Sequence, residues 1–151
     1  HITYLSPNET EAAVLLNCFI REEGQAMTEE AVGGIKAAMK AKNLQKLLLT
    51  LGDAGAMTIE DENVVFKPSV PNIKAVDPTA AGDSFVAAFC VARGFGLDDG
   101  DAMAFANMIA AVTVSRMGAQ PSLSSLEVAK EFHKAAGRDV SIIEKVEELQ
   151  K

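Results

Sequence analysis

Two acids bracket the stretch Val76-Asp77-Pro78-Thr79-Ala80-Ala81-Gly82-Asp83-Ser84-Phe85. Asp77 closes an apolar, strand-like run, Ile73 to Val76. Asp83 opens a helical pattern carried by Phe85, Val86, Phe89 and Cys90. A helix starting there presents N–H groups that have no intrahelical acceptor, together with the positive end of its dipole, and both favour an anion. Ala80, Ala81 and Gly82 have little or no side chain, so a phosphate can approach their backbone closely. Asp83 falls in the first turn, at the mouth of that site. The plain alternatives are that Asp83 is a first-turn acid favouring the dipole and that Asp77 caps the loop after a strand.

Two further stretches carry polar or glycine-bearing chemistry. Asn8-Glu9-Thr10-Glu11 begins a helix, and its plain reading is a capping box in which Asn8 caps and Glu11 reaches back. Leu49-Thr50-Leu51-Gly52-Asp53-Ala54-Gly55 is a turn directly after an apolar run. Neither a GxxxxGK[ST] loop nor a GxGxxG after a strand is present. No Cys/His spacing suits zinc, and His1 and His133 lack a partner for a hydrolase triad. An anion-binding helix start with an adjacent carboxylate suits phosphoryl transfer, where catalysis is mainly positioning and charge stabilisation.

The elements that must hold these residues alternate. Ile2 to Leu5 reads as a short strand, followed by a helix from about Glu9 with Ala12, Ala13, Leu15, Leu16 and Phe19 on its apolar face. Thr28 caps a second helix reaching about Lys42. Gly33-Gly34 within it either weakens it or marks close packing. Lys46 to Leu51 suits a central strand buried on both faces, as in a parallel sheet. Ala56–Glu60 and Val64–Phe66 form an edge hairpin. After the phosphate-type loop come helices from about Gly82 to Arg93, Leu97 to Met117 and Leu126 to Ala136, and an amphipathic end helix over 140–151. The alanines of the second of these, among them Ala102, Ala106 and Ala110, predict a closely packed helix. The pattern predicts a layered α/β fold with a mostly parallel sheet and an antiparallel edge. In such sheets ligands bind beyond the carboxyl ends of strands, where Asn8, Thr50–Gly55 and Asp77–Asp83 all fall.

A chain of 151 residues is one domain's worth of sequence, long enough for a sizeable core. The net charge of −7 argues against nucleic acid or an anionic membrane as partner, but backbone N–H groups can still bind a phosphate. Cys18 and Cys90 lie in apolar patterns and are expected to be buried thiols in a reducing, cytoplasmic setting. No apolar run reaches membrane-span length and no signal peptide is visible. The first residue is His1 rather than Met, as expected of a fragment or a processed chain.

The motifs resemble those of the ribokinase-like (PfkB) family of sugar and nucleoside kinases. Asp77 to Phe85 is similar to the signature D-T-x-[AG]-A-G-D-[ST]-F, with Pro78 at the position where the family usually has Thr. Asn8 to Glu11 is similar to its N-x-x-E motif, and Thr50 to Gly55 to its T-L-G-x-x-G nucleotide loop. Gly118-Ala119-Gln120-Pro121-Ser122 resembles the end of a monovalent-cation loop. The resemblance implies a layered α/β/α ribokinase-like fold and ATP-dependent transfer of the γ-phosphate to a sugar hydroxyl, with ribose as the expected sugar. It makes Asp83 the general base, and Ala80, Ala81 and Gly82, with the Asp83 N–H, the anion hole. Asn8, Thr50, Gly52, Gly55 and Asn107 become ATP-site residues, with Asn107 near the adenine; its plain reading is a helix-surface amide. Glu11, with Asn8, would hold Mg2+ largely through water. Asp77, with carbonyls of Thr79, Thr113, Arg116 and Gly118 and the Ser122 hydroxyl, would hold K+. Family members are longer, with an N-terminal part carrying the sugar-binding Gly-Gly motif and a β-lid. The chain is therefore expected to be the C-terminal, nucleotide-binding part, and the whole enzyme a homodimer. A nucleoside or other sugar kinase of the same family, and a non-catalytic nucleotide-binding module, are the alternatives.

Overall fold

In a computed structural model the described residues are 3–22, 24–78, 80–116 and 125–151. The chain divides into two compact units, His1–Phe66 and Lys67–Lys151.

In the first unit α1 (Glu9–Leu16) and α2 (Glu29–Ala41) precede β1 (Leu47–Thr50), a single 3-10 turn over Gly52–Ala54, and β2 (Gly55–Ile59). β3 (Val64–Pro68) completes a sheet of order β1-β2-β3. Both helices start where side chains can satisfy their orphan N–H groups: Asn8 caps α1, and the Thr28 hydroxyl accepts from the Ala31 N–H of α2 at 3.1 Å. The leucine run makes β1 buried from Leu47 to Leu49, with Thr50 half-buried, and it pairs antiparallel with β2 in the register Leu47↔Ile59 and Leu49↔Met57. These residues join Ala12 and Leu16 of α1 and Ile35 and Met39 of α2 in one core.

Several expectations are corrected. Among the described residues the parallel character expected of the sheet is confined to isolated bridges, Leu5↔Leu47 and Asn8↔Thr50, while β1 and β2 form an antiparallel pair. Tyr4–Leu5 therefore contributes a bridge rather than a strand, and Ile2 lies outside the described residues. α1 stops at Leu16 because Asn17 takes a left-handed conformation (φ 50°), so Phe19 is not on the helix and is exposed. Gly33 and Gly34 mark no close packing, since a Cβ at either would meet nothing within 4 Å. The cysteines are free, Cys18 half-buried and Cys90 exposed.

The second unit is helical: α3 (Ala81–Gly94), α4 (Asp99–Val114), α5 (Leu126–Ala135) and α6 (Ser141–Leu149). α3 buries Phe85, Ala88, Phe89 and Ala92, an i, i+3, i+4, i+7 spacing that makes one face, and packs on α4. α4 buries Ala102, Met103, Phe105, Ala106 and Met108; its alanines permit the close packing the sequence predicts. Gly96 (φ 86°) turns the chain between the two helices, and Arg93 pairs with Asp99 at 3.2 Å across that turn. α6 docks Ile143 and Val146 within this unit, against α4 and α5. The run Ile73 to Val76 is not a strand. No strand among the described residues offers it a ladder, and the N–H groups of Val76 and Asp77 instead donate to the Val114 carbonyl, at 2.8 and 3.1 Å.

His133 is fully buried in α5, with Nε2 2.9 Å from the Met108 carbonyl oxygen and Nδ1 without a partner. Burial holds its pKa below the ordinary 6.5. The unfolded chain then binds a proton that the folded chain resists, so stability falls as pH drops through 6.5 and levels off below the folded pKa. Chemical denaturation between pH 7.5 and 5 should show this loss, and His133→Gln should flatten it; an equal slope in the variant would refute the assignment. Gly33→Ala and Gly34→Ala should each raise the urea midpoint, by about 0.5–1 kcal/mol of stability, because each fills open space in a helix interior. A lowered midpoint would show a packing role.

Candidate active site

Within the first unit the Asn8–Glu11 turn and the Thr50–Gly55 loop are brought together. Asn8 has extended backbone (φ −79°, ψ 177°); its Oδ1 accepts from the Glu11 N–H at 2.9 Å, and a Glu11 carboxylate oxygen accepts from the Asn8 N–H at 2.9 Å. The capping box is complete, and it fixes the exposed Glu11 carboxylate in one place. A carboxylate held at the surface suits Mg2+, which keeps several of its waters and needs few protein ligands. Beside it the Thr50 N–H donates to the Pro7 carbonyl at 3.1 Å, and Asn8 bridges Thr50. The chain then turns tightly, the Leu51 N–H reaching the Gly55 carbonyl at 2.9 Å and the Ala54 N–H the Leu51 carbonyl at 3.1 Å. Gly52 sits at φ 58°, and Gly55 at φ 120°, ψ −136°, a conformation that L side chains rarely adopt. The two glycines are thus conformational requirements of a loop whose backbone is bare of side chains at those points.

Sequence reasoning missed one residue of this group, Arg21. Arg21 pairs with both carboxylate oxygens of Glu9, Nε to Oε1 at 2.5 Å and Nη2 to Oε2 at 3.0 Å, and Nη2 also donates to the Leu51 carbonyl at 3.1 Å. The hydrogen bond to Glu9 raises the guanidinium pKa above its ordinary value, with Glu9 and Asp53 adding charge attraction. Nothing in the local pattern around Arg21 singles it out, because its partners lie 12 and 30 residues away.

In the second unit, α3 begins without any side-chain cap. Its N-cap is Ala80, at φ 63°, ψ 3°, left-handed backbone that an alanine enters only at a cost. The Ala81 N–H is taken by the Pro78 carbonyl at 3.1 Å, and the first i→i−4 bond runs from the Ser84 N–H to the Ala80 carbonyl at 2.9 Å. The first-turn donors that the helix itself does not use are those of Gly82 and Asp83. Of the expected anion-hole residues, Ala80 shapes the turn and Ala81 lends its N–H to the Pro78 carbonyl, while Gly82 and the Asp83 N–H stand in the first turn of the helix. The Asp83 carboxylate is exposed at the same helix end, while Ser84 turns inward with its hydroxyl donating to the Ala81 carbonyl at 2.9 Å.

Asn107 is not a helix-surface amide. It is buried in α4, and its Nδ2 donates to the carbonyls of Pro68 (2.9 Å) and Lys67 (3.4 Å), at the start of the same unit. The described part of the expected K+ shell lies at one place. Asp77 is anchored by its N–H on Val114, at the C-terminal end of α4, beside Thr113 and Arg116. The negative end of the α4 dipole favours a cation there. The Thr113 carbonyl already accepts the N–H groups of Ser115 and Arg116, so it offers a cation less than a bare carbonyl would. Thr79, Gly118 and Ser122 lie outside the described residues. Among the described residues no cluster of three or more His, Cys, Asp or Glu could hold a metal, and no helix is long and apolar enough to cross a membrane.

The profile of the pfkB family carbohydrate kinases matches residues 1–126. The ribokinase of Schizosaccharomyces pombe is 36% identical over 127 residues, which cover 83% of this chain and 39% of that protein. Among solved structures, Arabidopsis thaliana ribokinase complexed with ribose and ATP matches with a TM-score of 0.74 at 29% identity, over 86% of this chain and 40% of that one. Thermotoga maritima ribokinase matches with a TM-score of 0.69 at 32% identity, over 88% of this chain and 42% of that one. The chain thus spans about two fifths of the length of these relatives.

The left-handed Ala80 makes a direct test of this geometry. Ala80→Gly should stabilise the ligand-free chain by about 1 kcal/mol, because glycine enters that region without the Cβ clash. Thermal unfolding of the two proteins side by side measures it, and a destabilised glycine variant would mean that Ala80 does not hold this conformation in solution.

Proposed function

The chain belongs to the pfkB family of carbohydrate kinases, and from that premise we propose that it is the C-terminal, ATP-handling part of a kinase that phosphorylates a hydroxyl of ribose. The observation that carries the reading is the start of α3: a helix N-terminus without a side-chain cap on Ala80, whose first-turn donors, Gly82 and Asp83, meet no acceptor among the described residues and sit with a carboxylate in the same turn. The two N–H groups stabilise the charge spread over the oxygens of a transferring phosphoryl group. Asp83 receives the proton of the attacking hydroxyl. An ionised aspartate is a weak base, but it suffices because the phosphoryl transition state is loose and the proton leaves late.

On the nucleotide side, Thr50, Gly52 and Gly55 line the ATP with bare backbone, and Asn8 and Glu11 hold hydrated Mg2+. The magnesium, when bound, neutralises charge on the phosphate oxygens. Asn107 keeps the backbone near the adenine in place through Lys67 and Pro68 rather than by touching the base first. Asp77, Thr113 and Arg116, together with Thr79, Gly118 and Ser122, bind K+ at the end of α4. The sugar is bound by the part of the enzyme that lies outside this chain, which works in the cytoplasm as a homodimer. Ribose rather than another sugar is supported by the ribokinases of similar sequence and fold.

Asp83→Asn in the whole enzyme should lower turnover by roughly 10²–10⁴-fold, the usual worth of a positioned base, and leave ATP affinity unchanged. A steady-state assay against a panel of ribose, other sugars and nucleosides reads both the base and the substrate. Unimpaired turnover in the variant would reject Asp83 as the base, and preference for a nucleoside would reject ribose. The isolated chain should bind ATP weakly and transfer no phosphate to ribose.

A further inference from the structure

Arg21 is the most deeply committed cation of the first unit. Its side chain is only 8% exposed, and its guanidinium makes four hydrogen bonds: two to Glu9, one to the Leu51 carbonyl, and one from Nη1 to the Gln25 carbonyl at 2.7 Å. Burying a charge is costly even when it is paired, and an apolar side chain of similar volume often serves stability as well or better. Stability alone therefore gives little reason for an arginine at this position, and the position of its contacts gives a better one. Glu9 is the first helical residue of α1, between Asn8 and Glu11 of the capping box. Leu51 stands directly before Gly52, in the loop after β1.

The peptide between Leu51 and Gly52 is planar and trans, so its N–H points opposite to its C=O. The carbonyl is held from one side by Arg21 and by the Ala54 N–H. The Gly52 N–H must then be presented away from Arg21. Glycine at φ 58° has no side chain that would fix this peptide in its turn, so the direction depends on what grips the carbonyl. The same guanidinium plane grips the first turn of α1 through a bidentate pair, a geometry that lysine cannot reproduce.

We propose that Arg21 is a positioning residue of the nucleotide site, locking the Leu51–Gly52 peptide and the Asn8–Glu11 turn in one geometry so that the Gly52 N–H faces the phosphates of ATP. The inference rests on the reading of Thr50–Gly55 as the nucleotide loop. Arg21 touches no substrate; it acts through Leu51 and Glu9.

The test is ATP titration of the 151-residue chain by calorimetry, with the Gly52 amide followed by NMR at a temperature where circular dichroism shows each variant folded. In the unmodified chain ATP should bind and move the Gly52 amide resonance. Arg21→Lys should weaken ATP by about tenfold, in the range seen when outer-shell partners of a site are removed, and should abolish the Gly52 shift. Glu9→Gln keeps the shape and an acceptor for Arg21 and should weaken ATP less. Lys134→Ala, which breaks an exposed pair with Glu144, should change nothing. A purely structural arginine would lower the unfolding midpoint and leave the affinity and the Gly52 shift of the folded variant intact, and that outcome overturns the proposal. If Arg21→Lys does not fold, Glu9→Gln decides, and unchanged affinity there overturns it. An unmodified chain that binds no ATP overturns the nucleotide reading as well.

Discussion

Helix starts must dispose of N–H groups that the helix cannot use, and this requirement organises the molecule more than any other. Four of the helices dispose of them with side chains: Asn8 for α1, Thr28 for α2, Asp98 for α4 and Ser125 for α5. α3 and α6 start without a side-chain hydrogen bond from the N-cap residue. The N-cap of α3 is an alanine in left-handed backbone, its first N–H is lent to Pro78, and among the described residues no acceptor takes the N–H groups of Gly82 and Asp83. A helix end left in this state is stabilised when an anion arrives, and the rest of α3 supplies the anchorage. Phe85 and Phe89 hold it against α4, each burial being worth about 1.5–3 kcal/mol.

The contrast with α1 is instructive. There the carboxylate three residues into the helix is spent on the cap, as a capping box requires, and the carboxyl group is immobilised without being buried. The structural and the ligand-facing readings of Asn8 and Glu11 are therefore compatible. The cap fixes where the acid stands, and one oxygen in the box leaves the carboxylate's outer lone pairs directed to solvent, where a hydrated cation approaches. At α4 the same physics runs in reverse, with the carbonyl end of the helix gripping the backbone of Asp77.

Much of this was legible from residue types. Caps declare themselves locally, so the starts of α1 and α2 fell close to their expected places, and the leucines of β1 and the glycines of the following turn announced a buried strand and a tight loop. What was hidden depends on distant partners. Ile73 to Val76 has strand composition, but a strand also needs a neighbour, and Val114 captured its N–H groups instead. Asn107 sits in an alanine-rich helix without any sign that Lys67 and Pro68 would claim its amide. Arg21 lies among acids that could all have been its partner, and only the fold selects Glu9. The left-handed turn at Ala80 gave no signal either, because alanine does not advertise that conformation as glycine would.

The loop between β1 and β2 has a consequence in time as well as in space. It joins two neighbouring strands through residues 51–54 alone, so the chain ends that must meet are already close and little entropy is lost in closing it. Contacts this local form early and fast in a folding chain. Gly52 and Gly55 make that closure possible, so this loop takes shape with the β1–β2 hairpin. A replacement at either glycine would therefore slow the closure of the hairpin as well as strain the loop.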